Sequence, residues 1–337
     1  MNKIESKIDF VVLWVNPSDK EWQKQRAKYS KIVESNIDVD DREERYRDWD
    51  LFKYWFRGVE KFAPWVNKVH LVTCGHVPEW LNRKHPKLHI VNHSDFMPKE
   101  ALPTFNSNAI ELCIHKITGL AEQFVLFNDD LFVTKPVKPS DFFIKGRPVN
   151  TMTLFATMPS LSGQSFYKVV NKNIAIINKY YNYGTFKKKN IFKILSPKQK
   201  EWIIFSMSSL FYNQFIGFRD YHIANSYLKK TLHDVWDKEP GILQETVMSR
   251  FRDNGENVNH WLFNYWQFAS GVSVQRNAHF GKSFFIDNEK NAKYIHSRKY
   301  HVICINDRVS IERDKSLAVE LKKAFEDILP DKSEYEL

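Results

Sequence analysis

Residues 1–143 alternate short, β-branched apolar runs with longer segments of helical spacing, and this alternation restricts the chain to an α/β fold whose sheet is largely parallel. The first run, IDFVVLWV from Ile8 to Val15, reads as a buried strand. Asn16, Pro17, Ser18 and Asp19 end it as a turn. Residues 20–33 are polar with helical spacing. In residues 49–62, Leu51, Phe52, Trp55, Phe56, Val59 and Phe62 fall on one helical face, and Pro64 closes the segment. Residues 69–73 and 88–91 read as strands and 106–116 as a helix. Residues 124–127 form a fourth strand that runs into Asn128, Asp129 and Asp130.

After Phe143 the pattern changes. Residues 198–212, 242–251, 258–268 and 316–328 carry helical spacing, so the second half is expected to be mostly helical and packed on the sheet. Three regions result: 1–143 (α/β), 144–205 (a basic insertion) and 206–337 (mostly helical, completing the site), together one catalytic domain. The net charge of +10 is concentrated. Between Asp141 and Glu201 there is no acidic residue but eleven Lys and Arg, so the remainder of the chain is close to neutral. Such a segment suits an anionic partner, with nucleic acid, a phosphate-bearing substrate and anionic lipid all open, or it is a solvated lysine-rich insertion.

The three cysteines, Cys74, Cys113 and Cys304, form neither a disulfide framework nor a zinc pattern, and a reducing compartment fits them best. Cys74 and Cys113 are expected to be buried. The apolar run from Phe10 to Val15 is too short for a signal-peptide core, and no stretch reaches the roughly 20 apolar residues of a membrane span. A cytoplasmic location is expected.

Asn128-Asp129-Asp130 is the sharpest chemical feature. Ligands of open α/β sheets bind beyond the carboxyl ends of the strands. Two adjacent carboxylates there are what Mg²⁺ or Mn²⁺ bridging a diphosphate requires, although a polar turn before Leu131, Phe132 and Val133 has the same appearance. In LPTFNSNAIE, Asn106, Ser107 and Asn108 start a helix. Such an end can bind phosphate or serve only as a cap. His222, in a polar stretch, has the chemistry of a general base. Arg250 and Arg252 can clamp phosphate, or end a helix in solvent. No Walker-type loop and no Gly-x-Ser-x-Gly elbow occurs, which leaves kinase, dinucleotide-dehydrogenase and serine-hydrolase readings without support.

Together these segments resemble the Stealth family of sugar-phosphate transferases, which includes bacterial capsular-polysaccharide phosphotransferases and the core of animal N-acetylglucosamine phosphotransferase. The resemblance rests on four blocks. One is Ile8 to Asn16 with Asp19 after it. The longest, from Arg45 to Phe132, includes Arg47-Asp48, Arg57, Ala63-Pro64-Trp65-Val66, LPTFNSNAIE and Asn128-Asp129-Asp130. The third extends from His222 to Gly271 and the fourth is Cys304-Ile305-Asn306-Asp307. Together they cover most of the chain.

The resemblance implies a Rossmann-like, nucleotide-sugar-binding sheet and a UDP-sugar donor. Its sugar-1-phosphate would pass to a hydroxyl of a polysaccharide or lipid-linked oligosaccharide, with release of UMP. It implies catalytic roles for His222, Asp130 and Arg252. It implies donor contacts from Trp14, Asn16, Asp19, Asp48, Arg57, Asn106, Asn108 and Arg250, and a divalent metal on Asp129, Asp130 and Asp307. Three positions depart from the family pattern: Lys53 for arginine, Ala224 two residues after the histidine, and Arg308 after the terminal Asn-Asp pair. The basic stretch from Lys168 to Lys200 lies outside the four blocks and is expected to grip anionic polymer or the inner face of the membrane. A metal-dependent glycosyltransferase releasing UDP is the alternative enzyme. Nucleic acid is not expected as a partner, because a polyanion binder leaves the acidic pair unexplained.

Overall fold

The computed structural model describes residues 7–33, 39–40, 46–157, 165–253, 257–286, 288, 290–307 and 311–337. Arg308 lies outside them. The five-stranded main sheet is built from β1 (Ile8–Leu13), β2 (Val69–Thr73), β3 (Leu88–Asn92), β4 (Gln123–Asn128) and, from the second half, β6 (Asn225–Leu228). Their order is β3-β2-β1-β4-β6. The first four are parallel, and β6 runs antiparallel to β4. A second sheet joins β5 (Leu131–Val133), β7 (Gly281–Phe285) and β8 (Val302–Asn306), with β8 in the middle, parallel to β7 and antiparallel to β5. The second half is therefore less purely helical than its spacing implied. It completes one sheet and supplies two strands of the other.

The helices are α1 (Lys20–Val33), α2 (Phe52–Phe62), α3 (Ser107–Cys113), α4 (Ser165–Tyr180), α5 (Tyr183–Ile194), α6 (Ile203–Ser209), α7 (Lys229–Lys238), α8 (Pro240–Met248), α9 (Trp261–Ala269), α10 (Asn291–His296) and α11 (Ile311–Ile328). They cover both faces of the main sheet, because alternate strand residues feed two cores. Phe10, Val12, Val125 and Phe127 enter the core shared with α2 and α11. Val11, Phe124 and Leu126 enter the one shared with α3, α4 and α9. Within α2, Gly58 lets the helix lie against β5: a Cβ there would stand 2.5 Å from the Val133 carbonyl oxygen. The basic region contributes Val170, Ile174, Ile177 and Phe186 to the second core, so its apolar residues are part of the packed body.

In register, Leu13 lies opposite both Asn128 and Val72. The carboxyl ends of β1, β2 and β4 therefore share one edge. From that edge the chain runs on into Trp14, Cys74 and Asp129. Asp129 and Asp130 occupy the tight turn between β4 and β5, and through β5 this turn links the two sheets.

Candidate active site

A cavity of about 510 Å³ opens at this edge. Its walls come from widely separated pieces of chain: the strand ends, Tyr46 to Phe52, the α3 start, His222, Arg252, and Ile305 to Asp307. The acidic groups are Asp48, Asp129, Asp130 and Asp307. The basic ones are Arg47, Arg252, His93 and His222.

Asp130 is held on one side and free on the other. Its Oδ2 accepts from the Cys304 thiol at 3.2 Å, and its backbone carbonyl accepts from Ile305 N at 3.0 Å. Its buried Oδ1 has no hydrogen-bond partner among the described residues. Burial raises the Asp130 pKa, against the opposing pull of His222 and the Cys304 hydrogen bond. Asp129 is raised further, by burial and then by the charges of Asp130 and Asp48. Two carboxyls that resist ionising side by side gain most from a cation between them.

His222 has backbone φ +44°, in the left-handed region that costs a non-glycine residue on the order of 1 kcal/mol or more. Asp220 fixes this bend: its Oδ1 accepts from His222 N at 2.8 Å, and its Oδ2 lies 3.6 Å from His222 Nδ1. Burial lowers the imidazole pKa, but Asp220, Asp130 and Glu111 outweigh it and raise it to about 9. The surrounding carboxyls thus favour the charged form of the ring. A ring nitrogen of His222, an Asp130 oxygen and the Cys304 sulfur lie within 4.8 Å of one another. Burial and the neighbouring Asp130 push the thiol well above its usual range, so Cys304 stays a protonated donor. The oxygens, not the sulfur, suit a hard cation such as Mg²⁺ or Mn²⁺.

Arg252 reaches Ser107 Oγ at the start of α3. Behind it lies buried Glu111, whose pKa burial raises to about 7 despite Arg252 and His222. Arg47 pairs with Asp307 at 3.0 Å, and Trp49 Nε1 donates to the same carboxylate at 3.2 Å. Asp307 thus lines the cavity as the partner of Arg47 and Trp49. Trp14 stacks on Phe52 and donates to Asp48 Oδ2 at 3.3 Å.

Of the residues singled out in the sequence, Trp14, Asp48, Ser107, Asn128, Asp129, Asp130, His222, Arg252, Asn306 and Asp307 meet in this cavity. Asn16, Asp19, Arg57, Asn106, Asn108 and Arg250 stand outside its walls. Asn16 Oδ1 caps the turn at Ser18 N (3.0 Å), and Asp19 Oδ1 caps α1 at Trp22 N (2.7 Å). Asn106 is buried; its Nδ2 donates to Ser249 O, Phe251 O and Asn257 Oδ1, and its Oδ1 accepts from Asn108 N at 3.1 Å. The Arg250 guanidinium covers the Tyr29 ring and donates to Glu100 O. Arg57 lies with the carboxyl-terminal tail: Nε donates to Glu336 Oε1 at 2.7 Å, Nη2 to Oε2 at 2.8 Å, and Nη1 to Leu329 O.

Sequence reasoning passed over Trp22, Tyr46, Arg47 and Trp49 as cavity residues, and Cys304 as the buried donor behind Asp130. Only the family blocks, which contain Arg47 and Cys304, carried a signal. Cys74, expected inside, is exposed beside His76, because β2 ends at Thr73. Ala224 is buried and its carbonyl accepts from Arg276 at 3.0 Å, which anchors the far end of the His222 loop.

A pocket with cationic groups facing carboxylates, at the strand ends of an α/β sheet, is the setting of a transferase acting on a phosphorylated substrate. Stealth protein CR1, conserved region 1, matches residues 6–34, and Stealth protein CR2, conserved region 2, matches residues 45–150. A capsular polysaccharide phosphotransferase WcwK of Streptococcus pneumoniae is 42% identical over 332 residues, 98% of each chain. A receptor polysaccharide phosphotransferase WefC of Streptococcus oralis is 41% identical over 98% of this chain and 100% of its own. The exopolysaccharide phosphotransferase cps2G of Lactiplantibacillus plantarum is 37% identical over 98% of this chain and 96% of its own. The chain belongs to the Stealth family, and it is an enzyme of the phosphotransferase class. Among solved structures, a galactosyltransferase LgtC complex with donor and acceptor sugar analogs covers 97% of this chain and 98% of its own, at 12% identity and a TM-score of 0.39.

Proposed function

We propose that the chain transfers a hexose- or N-acetylhexosamine-1-phosphate from a UDP-sugar to a hydroxyl of a growing capsular or cell-surface polysaccharide. The acceptor oxygen attacks the phosphorus bonded to the sugar, the bond from that phosphorus to the UMP oxygen breaks, and UMP leaves. The product is a phosphodiester. The observation that carries this reading is the Asp130 carboxyl, which lines the same cavity as His222 and Arg252 and has one buried oxygen, Oδ1, without a hydrogen-bond partner among the described residues.

Asp129 and Asp130 supply the oxygens that would hold Mg²⁺ or Mn²⁺, and the ion would neutralise the diphosphate and the leaving UMP. Asp307 would act by keeping Arg47 aimed into the cavity rather than as a ligand. Arg252 and Arg47 bind phosphate oxygens and offset the charge that builds during transfer. The His222 imidazolium attracts the anionic donor. Its neutral form takes the acceptor's proton on a ring nitrogen, with Asp220 orienting the ring. Trp14, Trp22 and Trp49 offer flat apolar walls for the uracil and sugar rings. Asn16, Asp19, Asn106 and Asn108 serve this site by shaping the loops that bear Trp14, Trp22 and Ser107, and Arg250 by packing against Tyr29. The reading keeps residues 1–143, 144–205 and 206–337 as parts of one catalytic domain working on the cytoplasmic side of the membrane.

The test is the nucleotide released when the purified chain meets UDP-sugars, Mg²⁺ and an oligosaccharide acceptor. UMP, lost in His222→Ala and Asp130→Asn, supports the proposal. UDP release assigns the chain to ordinary glycosyl transfer and ends the proposal.

A further inference from the structure

The basic region presents a surface that the transfer site does not use. Helices α5 and α6 form a hairpin. The Tyr183 hydroxyl donates to Ser209 O at 3.0 Å, Lys187 Nζ reaches Leu210 O and Tyr212 O, and Gln199 Oε1 accepts from the Ser206 hydroxyl at 2.5 Å. Its inner side is buried through Tyr183, Phe186 and Ile194. Its outer side carries large apolar groups with nothing over them. Phe192 is 91% exposed and Phe211 is 90% exposed, while Ile204, Met207 and Leu195 are also exposed. Ile204 and Met207 lie a turn apart on α6, and Phe211 follows just beyond its end. Lys188 and Lys189 are exposed on α5 just before its break at Asn190, Phe192 follows that break, and Lys200 is exposed in the connection.

We infer that the α5–α6 hairpin docks on an anionic lipid bilayer, with Phe192 and Phe211 entering the acyl boundary and the lysines meeting the headgroups. Charge complementarity selects this occupant, since residues 183–209 hold six lysines against the single carboxylate of Glu201. The exposed groups distinguish a bilayer from a soluble polyanion. Phenylalanine, isoleucine and methionine offer nothing to a phosphate or a hydroxyl, and need a hydrocarbon phase to leave water. Among the described residues, no helix is long and apolar enough to cross a membrane, so the contact is peripheral. The hairpin also touches the catalytic loop. Arg219 lies 3.3 Å over the Trp202 ring at the foot of α6, three residues before His222. An acceptor carried on a lipid would then arrive on the His222 side of the cavity.

The full chain is sedimented with phosphatidylcholine vesicles, with and without phosphatidylglycerol. We expect binding only to the anionic vesicles. The double variants Phe192→Ser/Phe211→Ser and Lys188→Glu/Lys189→Glu should each weaken it by about tenfold or more, with unchanged circular dichroism. Binding is read without catalysis, so it stands apart from the transfer reaction. The inference is overturned if anionic vesicles do not retain the chain, or if the phenylalanine variant binds undiminished. It is also overturned if retention passes to a soluble polyanion alone, or if the variant converts a dimer to a monomer, which would make the hairpin a contact between copies.

Discussion

The Cys304 thiol donates to Asp130 Oδ2 across 3.2 Å, and this leaves Oδ1 as the carboxyl's open side. The pairing follows from topology. Cys304 on β8 is in register with Leu131 on β5, the residue after Asp130, so an antiparallel ladder sets the sulfur at the turn. Removing the donor should let the carboxyl rotate. Cys304→Ala is expected to lower the transfer rate roughly five- to tenfold, the worth of one hydrogen bond, while Cys304→Ser keeps a donor and recovers most of it. Steady-state release of the nucleotide, with Tm measured alongside, separates this from a packing loss, since both variants remove the sulfur.

Arg57 and Glu336 make a bidentate pair with both side chains nearly excluded from water. Arg57→Ala leaves a carboxylate buried without its partner, a loss of about 3–5 kcal/mol. Tm should fall by roughly 4–7 °C. The donor KM should stay near that of the wild type, because Arg57 anchors the tail and lies outside the cavity wall. A raised KM at unchanged Tm would return Arg57 to the donor pocket.

The paired residues explain what the sequence could reveal. Strand β2 and helix α1 are set by local periodicity, and their limits could be read from it; β1 starts at Ile8 as expected but ends at Leu13, two residues before Val15. Helix α2 starts three residues later than its apolar spacing suggested. Strands β6, β7 and β8 were hidden because short runs such as GKSFF have no alternation, and their pairing is decided by distant partners. The same holds for side chains. Arg47 and Asp307 are 260 positions apart, and Arg57 and Glu336 are 279 apart. A sequence can mark an arginine as special without saying whether it faces a ligand or its own tail. The Asp129 and Asp130 turn was legible because strand, turn and carboxylates are consecutive.

Asp9 is fully buried within β1, where its carboxylate accepts from Asn67 Nδ2 at 2.6 Å and Ala121 N at 2.8 Å and lies 3.0 Å from His70 Nε2. Burial opposes ionisation, but these partners prevail and hold the pKa below its ordinary 3.8. A carboxyl depressed in the folded state adds stability that is present above its unfolded pKa and lost as pH falls through the folded value. Unfolding free energy should therefore decline below about pH 4. In Asp9→Asn the loss below that pH should be smaller, from a lower starting point. Urea unfolding at pH 3, 5 and 7 checks it, and identical slopes in both proteins would show that Asp9 is not the group responsible.

Arg252 joins the α3 start, through Ser107 Oγ, to the cavity, and it faces the charges of Glu111 and Asp130. A lysine keeps the positive charge but has one compact donor group in place of a planar fork, so it cannot hold Ser107 and a phosphate oxygen together. Arg252→Lys is expected to lower kcat/KM for the donor about 10- to 100-fold, and Ser107→Ala, which frees the fork without removing it, by less than tenfold. If phosphate binding is the arginine's task, the double variant should be no worse than Arg252→Lys alone, because the two changes disable one unit. Independent, multiplying losses would assign Ser107 a separate contact with the donor, at the amino-terminal turn of α3.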